Sequence, residues 1–590
     1  MFIGGVLIAC AAIVWQRPAW LFTIIPAALP VFDLAPWSGR FFFDEFDALM
    51  VLILAVAYSR VAARTPGRSR IDIPISLAVS LVVLSFVISA VRGLLPFQLP
   101  DLNSFNNYYS PYNALRIVKG VAFALAAYGL LKRLGAHGID ARRQFRFGMA
   151  IGLGFTVVVI LWERVAFSGL WNFSGSYRVT GPFSAMHTGG AYIECFLAAA
   201  TPFLVVLMLG RAHRALRLAC FLLLLATTYA LMVTFSRNGF LAFAVAVTVV
   251  LLTEMIKAER LVRRSILFAG MTGAMFLVAL PIFVGDFAQS RMATVNADLG
   301  VRQSHWKDAV SMRDSGWVAS IFGMGLGRFP ETSYWRSVSN PRPGTYRLEA
   351  EANNRYLRLG AGDSIYLEQS VSIEPGKKYL LKLDARPSRP DAQITVPICE
   401  KWMLTAYNCI WQSFNLGKEF GYWRSLEAEV SAKDISISPW YSRRTTKLSL
   451  YYGTPRSTVD IDNVRLETES GENLIRNGDF TQGLDHWFFS TDGHLQWHIK
   501  SLFVGLVFDQ GWFGMVAMSF FFLLALGRAA KNALRGDADA GAGLAALCSF
   551  LVVGLFDTLI DSPRFLFLLL LLTIIAAARP VLRPTPDRLY

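Results

Sequence analysis

Charge is scarce in this chain. Lys, Arg, Asp and Glu make up 17% of its 590 residues and 54% are hydrophobic, whereas soluble domains carry roughly 25% charge. That balance excludes an ordinary soluble protein of this length. No basic stripe carries interleaved aromatics, so the net charge of +15 is read as loop topology and no nucleic-acid partner is expected. No CxxC or HxxxH lies near Cys399 and Cys409, which argues against a metal site there. Cys10, Cys195, Cys220 and Cys548 fall in apolar runs and read as packing residues. The start, Met1-Phe2-Ile3, runs straight into an apolar stretch, without the basic region or cleavage site of a signal peptide.

What the chain does have is apolar runs, most of about 18 to 22 residues, long enough to cross a bilayer as helices. Candidate spans fall near 2–15, 19–35, 46–60, 73–92, 114–132, 148–168, 188–209, 217–235, 238–256, 265–285, 501–527, 543–560 and 564–579. The first is short, so twelve or thirteen are expected. Basic residues follow every second span: Arg60 to Arg70, Lys132 to Arg146, Arg211 to Arg217, Lys257 to Arg264, Arg528 to Arg535 and Arg579 to Arg588. This alternation puts those connections in the cytoplasm and the others outside. Asp44, Glu45, Asp47, Glu163, Glu194, Asp557 and Asp561 gather at outer span ends. Arg92, Arg116, Arg178, Arg237 and Arg564 lie there against the orientation rule. Such groups line cavities or pair with one another. The aromatic outer loop 94–113 reads as an interfacial belt.

One polar stretch, 289–498, interrupts the apolar pattern. Arg291 and Arg302-Gln303-Ser304-His305-Trp306 stand at one foot, and His494-Leu495-Gln496-Trp497-His498 at the other. Two sets distant in sequence are thus expected at one membrane surface. Between them, 346–359, 364–373, 379–385 and 447–452 alternate apolar and polar residues and read as strands, with Pro375-Gly376 as a turn. The expected fold is a polytopic α-helical membrane protein with an inserted antiparallel β-sandwich. Its parts are transmembrane helices over 1–286, an extramembrane segment with site residues over 287–343, the sandwich over 344–490, and a return segment with the final helices over 491–590. If the insert is extracytoplasmic, Cys399 and Cys409 can form a disulfide.

Several segments carry a family likeness. Thr234-Phe235-Ser236-Arg237-Asn238-Gly239 resembles the Ser-Arg-Gly/Ser element of the O-antigen ligase and O-antigen polymerase superfamily. Thr180-Gly181-Pro182-Phe183 is similar to its Gly-x-Phe stretch, with Met186-His187 where Pro-Asn is usual. Arg302-x-x-x-Trp306 and Gly323-Met324-Gly325-Leu326-Gly327-Arg328-Phe329 resemble its Arg-x-x-x-Trp and Gly-x-Gly segment. His498-Ile499-Lys500, then Asp509-Gln510-Gly511-Trp512-Phe513-Gly514, resembles its His-Asn, Glu-x-Gly-x-x-Gly segment. Here Lys500 holds the usual histidine place, and Asp509 replaces Glu. In the insert, 458–464 looks like the closing strand of a jelly-roll family of carbohydrate-binding modules. The segments 473–480 and 484–487 look like its opening strand, which implies a circularly permuted sandwich. Trp402, Trp411, Trp423 and Trp440 are candidates either for stacking on sugars or for the core.

The resemblance implies a glycosyltransferase of the bacterial inner membrane with its large loop in the periplasm. The donor would be a saccharide on undecaprenyl diphosphate, and the acceptor a glycan or lipid A core, amid membrane lipid. The activity would be that of an O-antigen or exopolysaccharide polymerase, or of an O-antigen ligase. Arginine forks suit diphosphate oxygens, so Arg237 and Arg302 take that role, with Arg291 and Arg178 in reserve. His498 is the first choice for a base, with His494 and Lys500 open; His187 and Trp306 complete the expected site. No metal or cofactor is implied. The competing readings are a transporter or flippase of lipid-linked saccharides, and a sugar sensor, which would lack a cytoplasmic signalling domain.

Overall fold

The computed structural model describes residues 2–62, 72–183, 191–210, 213–257, 261–402 and 405–578. Helices α1 (Phe2–Gln16), α2 (Leu21–Ala28), α3 (Ala35–Ser38), α4 (Glu45–Ala62), α5 (Ile73–Leu94), α6 (Asn113–Ala136), α7 (Ala141–Phe167), α8 (Ala191–Leu209), α9 (Arg214–Met232), α10 (Arg237–Ile256) and α11 (Leu261–Phe283) come first. Four short or polar helices follow: α12 (Asp286–Ala293), α13 (Val295–Ser311), α14 (Trp317–Phe322) and α15 (Phe329–Arg336). After the β region come α16 (Leu502–Leu534), α17 (Ala538–Phe556) and α18 (Pro563–Ala577).

Among the described residues, nine helices are long and apolar enough to cross a membrane: α5 to α11, α16 and α17. Twelve or thirteen were expected, and nine meet that length and composition. The other four runs are helical but fall short. Helices α1, α2 and α18 are too brief, and α4 carries Glu45, Asp47 and Arg60. Helices α8 and α18 are buried on nearly every side and form the centre of the bundle. Small residues of α17 let it lie close to its neighbours. A Cβ on Gly541 would come within 2.8 Å of Thr253, and one on Gly554 within 2.9 Å of Leu502.

The sandwich comprises β1 (Thr345–Glu351), β2 (Asn354–Gly360), β3 (Ile365–Val371), β4 (Lys378–Pro387), β5 (Gln393–Trp402), β6 (Thr405–Asn415), β7 (Arg424–Ser431), β8 (Thr445–Tyr452), β9 (Thr458–Thr468) and β10 (Phe488–Thr491). Two antiparallel sheets, β1-β2-β9-β4-β7 and β10-β3-β8-β5-β6, enclose a core that includes Leu357, Leu381, Ile394, Val396, Leu448, Leu450, Val459 and Ile461. Strand β4 alternates buried and half-exposed residues along its length, as a two-faced strand must. The expected strand 346–359 is a hairpin instead. Ala352 turns the chain at φ 52, and Glu351 pairs with Asn354. Strand β5 was hidden by Pro397, which lacks an N–H; its ladder to β8 runs from Thr395 to Ile398 without registering Val396 or Pro397. The segment 473–480 is not a regular strand. It lies against β9 through Val464 N to Gly478 O at 3.0 Å, and against β3 through Gln369 Nε2 to Arg476 O at 2.8 Å. Cys399 and Cys409 form a disulfide between β5 and β6.

The loop 94–113 is not a free interfacial belt. Asn107 Nδ2 donates to Tyr346 O at 2.9 Å, and Tyr109 packs on Trp497 with ring centroids 5.3 Å apart. The loop therefore joins the bundle to the sandwich. On the same side His486 N donates to Ser38 O at 2.8 Å, and Arg40 pairs with Asp485.

Candidate functional site

Two neighbouring cavities open where α8, α10, α16 and α18 begin. The start of α10 explains why Ser-Arg-Asn-Gly stands there. Ser236 is the N-cap: its Oγ accepts from Gly239 N at 3.2 Å and donates to Glu194 Oε1 at 2.6 Å. A Cβ on Gly239 would lie 2.7 Å from Glu194 Cβ, so glycine is what lets α8 and α10 meet. Phe235, just before the cap, is held at φ 49. Arg237 leaves the first turn, donates to Arg291 O at 2.7 Å and pairs with Asp298. Arg291 lies 3.5 Å from the same carboxylate.

The start of α16 repeats the device. Ser501 caps it, accepting from Val504 N at 3.4 Å, and Lys500 before it sits at φ 59. A buried lysine at positive φ is strained, and strain of this kind collects at functional sites. Trp306 Nε1 donates to Lys500 O at 3.0 Å, and His305 Nε2 lies 2.9 Å from His498 O. Helix α13 thus braces the return segment. Lys500 Nζ reaches Asp557 at 3.0 Å, and Arg302 donates to Phe556 O.

The first cavity holds about 250 Å³ and is lined by Arg178, Glu194, Ser236, Arg237, Asn238, Arg291, Asp298, Val301, Arg302, His494, Leu495, Lys500 and Asp557. Five cations face three carboxylates there. Burial, and then the neighbouring guanidiniums, lower the proton affinity of Arg291. Burial does the same to Arg178, where Glu194 and Asp557 oppose it and Arg291 and Arg237 add to it. These cations are crowded, which suits an anion. Burial, followed by Lys500, His498 and Arg302, pushes His494 down to about 2, so its imidazole is neutral.

The second cavity, about 80 Å³, is lined by His498, Asp561, Tyr192, Tyr108, Arg116, Arg564, Asp33 and Asp44, among others. His498 Nδ1 is hydrogen-bonded to Asp561 Oδ2, while Tyr192 OH donates to Oδ1 at 3.2 Å. Burial would raise the Asp561 carboxyl. The His498 charge and hydrogen bond, with Arg116 and Lys500, outweigh it and hold the group below the usual carboxylate range. A carboxylate on Nδ1 directs the basic lone pair to Nε2.

The glycine-rich segment 323–327 wedges between α5 and a break in α16 at Gly511, where φ is 66. Met324 N and Gly325 N donate to Phe508 O at 2.7 Å and Asp509 O at 3.0 Å, and Leu326 N donates to Ser89 O at 3.0 Å. A Cβ on Gly323 would sit 2.3 Å from the Asp509 carbonyl carbon. The Gly-x-Gly spacing is therefore a close-approach requirement that fixes α14 and α15 to the bundle.

Of the residues expected in the site, Arg178, Arg237, Arg291, Arg302, His494 and Lys500 share the first cavity. His498 faces the second, and Trp306 acts as a buttress through Lys500. His187 lies outside the described residues. Asp298 was not anticipated. Its one signal is a place four residues before Arg302, on the same face of α13. Asp561 and Asp557 stood out only as acids at outer span ends.

The sequence matches no family model and none of the curated proteins. Among solved structures, part of the chain is similar to one titled "CBM4 structure and function", with 18% identity, a TM-score of 0.18, and coverage of 22% of this chain and 93% of that one. Another, "Family 16 Carbohydrate Binding Module-2", has 16% identity, a TM-score of 0.17, and coverage of 21% and 84%.

Proposed function

We propose that this chain is a glycosyltransferase of the bacterial inner membrane. It moves a glycan from undecaprenyl diphosphate to an acceptor hydroxyl at the periplasmic face, as an O-antigen or exopolysaccharide polymerase or an O-antigen ligase. One observation carries the reading: Arg178, Arg237, Arg291, Arg302 and Lys500 converge on a single cavity at one end of the apolar helices. A diphosphate tethered to a lipid is an anion that arrives at that height. Guanidinium forks bind its oxygens, and in a site shielded from water they stabilise the charge that develops as it leaves.

In the proposed step an acceptor hydroxyl oxygen attacks the anomeric carbon. The bond from that carbon to the diphosphate oxygen breaks, and its electron pair stays on the lipid diphosphate under the arginines. The hydroxyl proton passes to His498 Nε2, with Asp561 as the positioning residue. His494, pushed down to about 2, is too weak a base and serves as a neutral wall of the cavity. Direct displacement inverts the anomeric carbon. In the sandwich, Trp411 stands exposed on a cleft of about 290 Å³ shared with Tyr366 and Lys401, and is the side chain offered as a glycan contact.

The flippase reading draws on buried Asp509, beside the break in α16. The wedge 323–327 fills that break with backbone at contact distance, which favours a fixed seam over a path. The test is the purified full chain in nanodiscs with an undecaprenyl-diphosphate oligosaccharide. The expected result is transfer that Arg237→Ala and Arg302→Ala each abolish; full transfer in both variants would overturn the diphosphate role. Deletion of the gene then separates the activities. Single repeats without long chains mean a polymerase, full-length polymer left on its lipid carrier means a ligase, and unchanged surface glycan removes both.

A further inference from the structure

The loop from β7 to β8 carries large apolar side chains in the open. Trp440 is 89% exposed, Ile437 63% and Tyr441 56%. On a domain in water such a cluster is costly. Its position explains it. Trp162 Nε1 on α7 donates to Tyr441 O at 2.7 Å, and Arg444 Nε donates to Ala166 O at 2.9 Å. Arg444 also lies over the Tyr407 ring at 3.5 Å, which pins the loop's exit. Trp162 lies five residues before the last residue of α7, about 8 Å below the helix end at 1.5 Å per residue. The loop therefore reaches down beside the helix.

The face of α7 that it reaches is the apolar one. Ile151, Phe155, Val158 and Val165 are exposed at spacings of four, three and seven, and Trp162 continues the same stripe. On a membrane span, a continuous exposed apolar stripe is the lipid-facing side. The loop is hydrogen-bonded to that stripe within the outer two turns. Arg443, exposed two residues after Tyr441, adds a cation at headgroup height.

We propose that the 437–441 loop is a membrane-interface anchor. Ile437, Trp440 and Tyr441 sit in the headgroup and upper acyl layer of the outer leaflet beside α7 and hold the sandwich at a fixed height over the two cavities. Trp and Tyr favour that layer because their rings are apolar at one end and polar at the other. The proposal rests on reading the apolar helices as membrane spans and is independent of the transferase chemistry.

The test uses the full chain in nanodiscs of plain or brominated phosphatidylcholine. An environment-sensitive fluorescent amino acid replaces Trp440, Val158 or Tyr422, one at a time. Tyr422 is another exposed aromatic, just before β7, whose eight residues set it about 26 Å from the start of the loop at about 3.3 Å per residue. The expected result is that brominated lipid removes at least about half the emission at 440 and 158 and leaves 422 unchanged. Quenching at 158 with 440 behaving like 422 overturns the anchor. No quenching at 158 removes the bilayer from beside α7 and overturns both the span reading and the anchor. Quenching of 440 by soluble oligosaccharide in place of brominated lipid would make the loop a glycan contact, and also overturns it.

Discussion

At the end of the bundle where α5, α7 and α17 begin and α16 ends, three arginines that join helices have acids of their own. Arg142 meets Asp140 at 2.7 Å and Asp537 at 2.6 Å, Arg146 meets Asp539 at 2.9 Å, and Arg528 grips Asp72 with both nitrogens at 2.6 and 2.8 Å. In the first cavity, at the other end, the five cations outnumber the three carboxylates. Asp298 serves both Arg237 and Arg291, while Arg178 and Arg302 rest on the carbonyls of Thr234 and Phe556. The first end joins helices to one another. The second keeps cations in a cavity where the proposed diphosphate would complete their neutralisation. Removing an arginine should therefore cost different things at the two ends.

The largest expected contrast is between Arg302→Ala and Arg142→Ala. Arg302→Ala should lower the transfer rate at least about a hundredfold, the loss seen when one charge-stabilising donor is removed, and leave thermal unfolding nearly unchanged. Arg142→Ala should cost roughly 1–3 kcal/mol of stability, because it leaves the half-buried Asp140 and Asp537 without their shared cation, and leave turnover per folded molecule intact. Unfolding curves and rates measured on both variants check this; a stability loss for Arg302→Ala as large as that for Arg142→Ala would erase the distinction.

A second contrast lies within the cavity end. If Asp561 only positions His498, Asp561→Asn should reduce turnover by about 10²-fold with little change in donor KM. The same variant should move the acid limb of the rate profile, which a merely structural carboxylate would not. An unchanged pH profile would reduce Asp561 to packing.

Much of this arrangement was legible in the residues, and the reasons for the rest are physical. Apolar runs located the helices because a span must be apolar along its whole length. They also took in runs that form helices too short, as in α2, or too charged at the rim, as in α4, to meet a spanning length and composition. Arg237, Arg302 and His494 drew notice as polar groups at the feet of an apolar bundle. The partner relations were hidden. His498 and Asp561 lie 63 positions apart, and only the packing of α16 beside α18 brings them together. Likewise β5 looked broken at Pro397, and the β1–β2 turn puts Ala352, where Gly or Asn is usual, at its left-handed position, with Asn353 only after it.

A smaller effect concerns acid. His494 is held neutral, at about 2, against an ordinary 6.5. Its folded value is lowered, so unfolded chains bind the proton that the cavity refuses. The stability it contributes is intact above about pH 6.5 and is lost progressively as pH falls below that value. By pH 5 the loss should reach roughly 2 kcal/mol. His494→Gln should flatten that slope, as read from unfolding at pH 7 and pH 5. An unaltered slope would place the acid sensitivity elsewhere, for example on His305, which burial also pushes down.

The smallest expected effect tests whether the shortage of acid is itself functional. Asp298 is more than one-third exposed and occupies the place where Arg237 and Arg291 come together. A pair this open contributes at most about 1 kcal/mol, so Asp298→Asn should barely alter stability. It leaves two guanidiniums without their shared counter-charge, and a lipid diphosphate would no longer have to displace a carboxylate to reach them. Donor KM should therefore fall by up to about fivefold, the equivalent of about 1 kcal/mol, with kcat unchanged. This is a gain in affinity from deleting a charge, which no purely structural role predicts. If donor KM instead rises, Asp298 orients the arginines for the diphosphate, and the cavity end is organised by ion pairs much as the opposite end is.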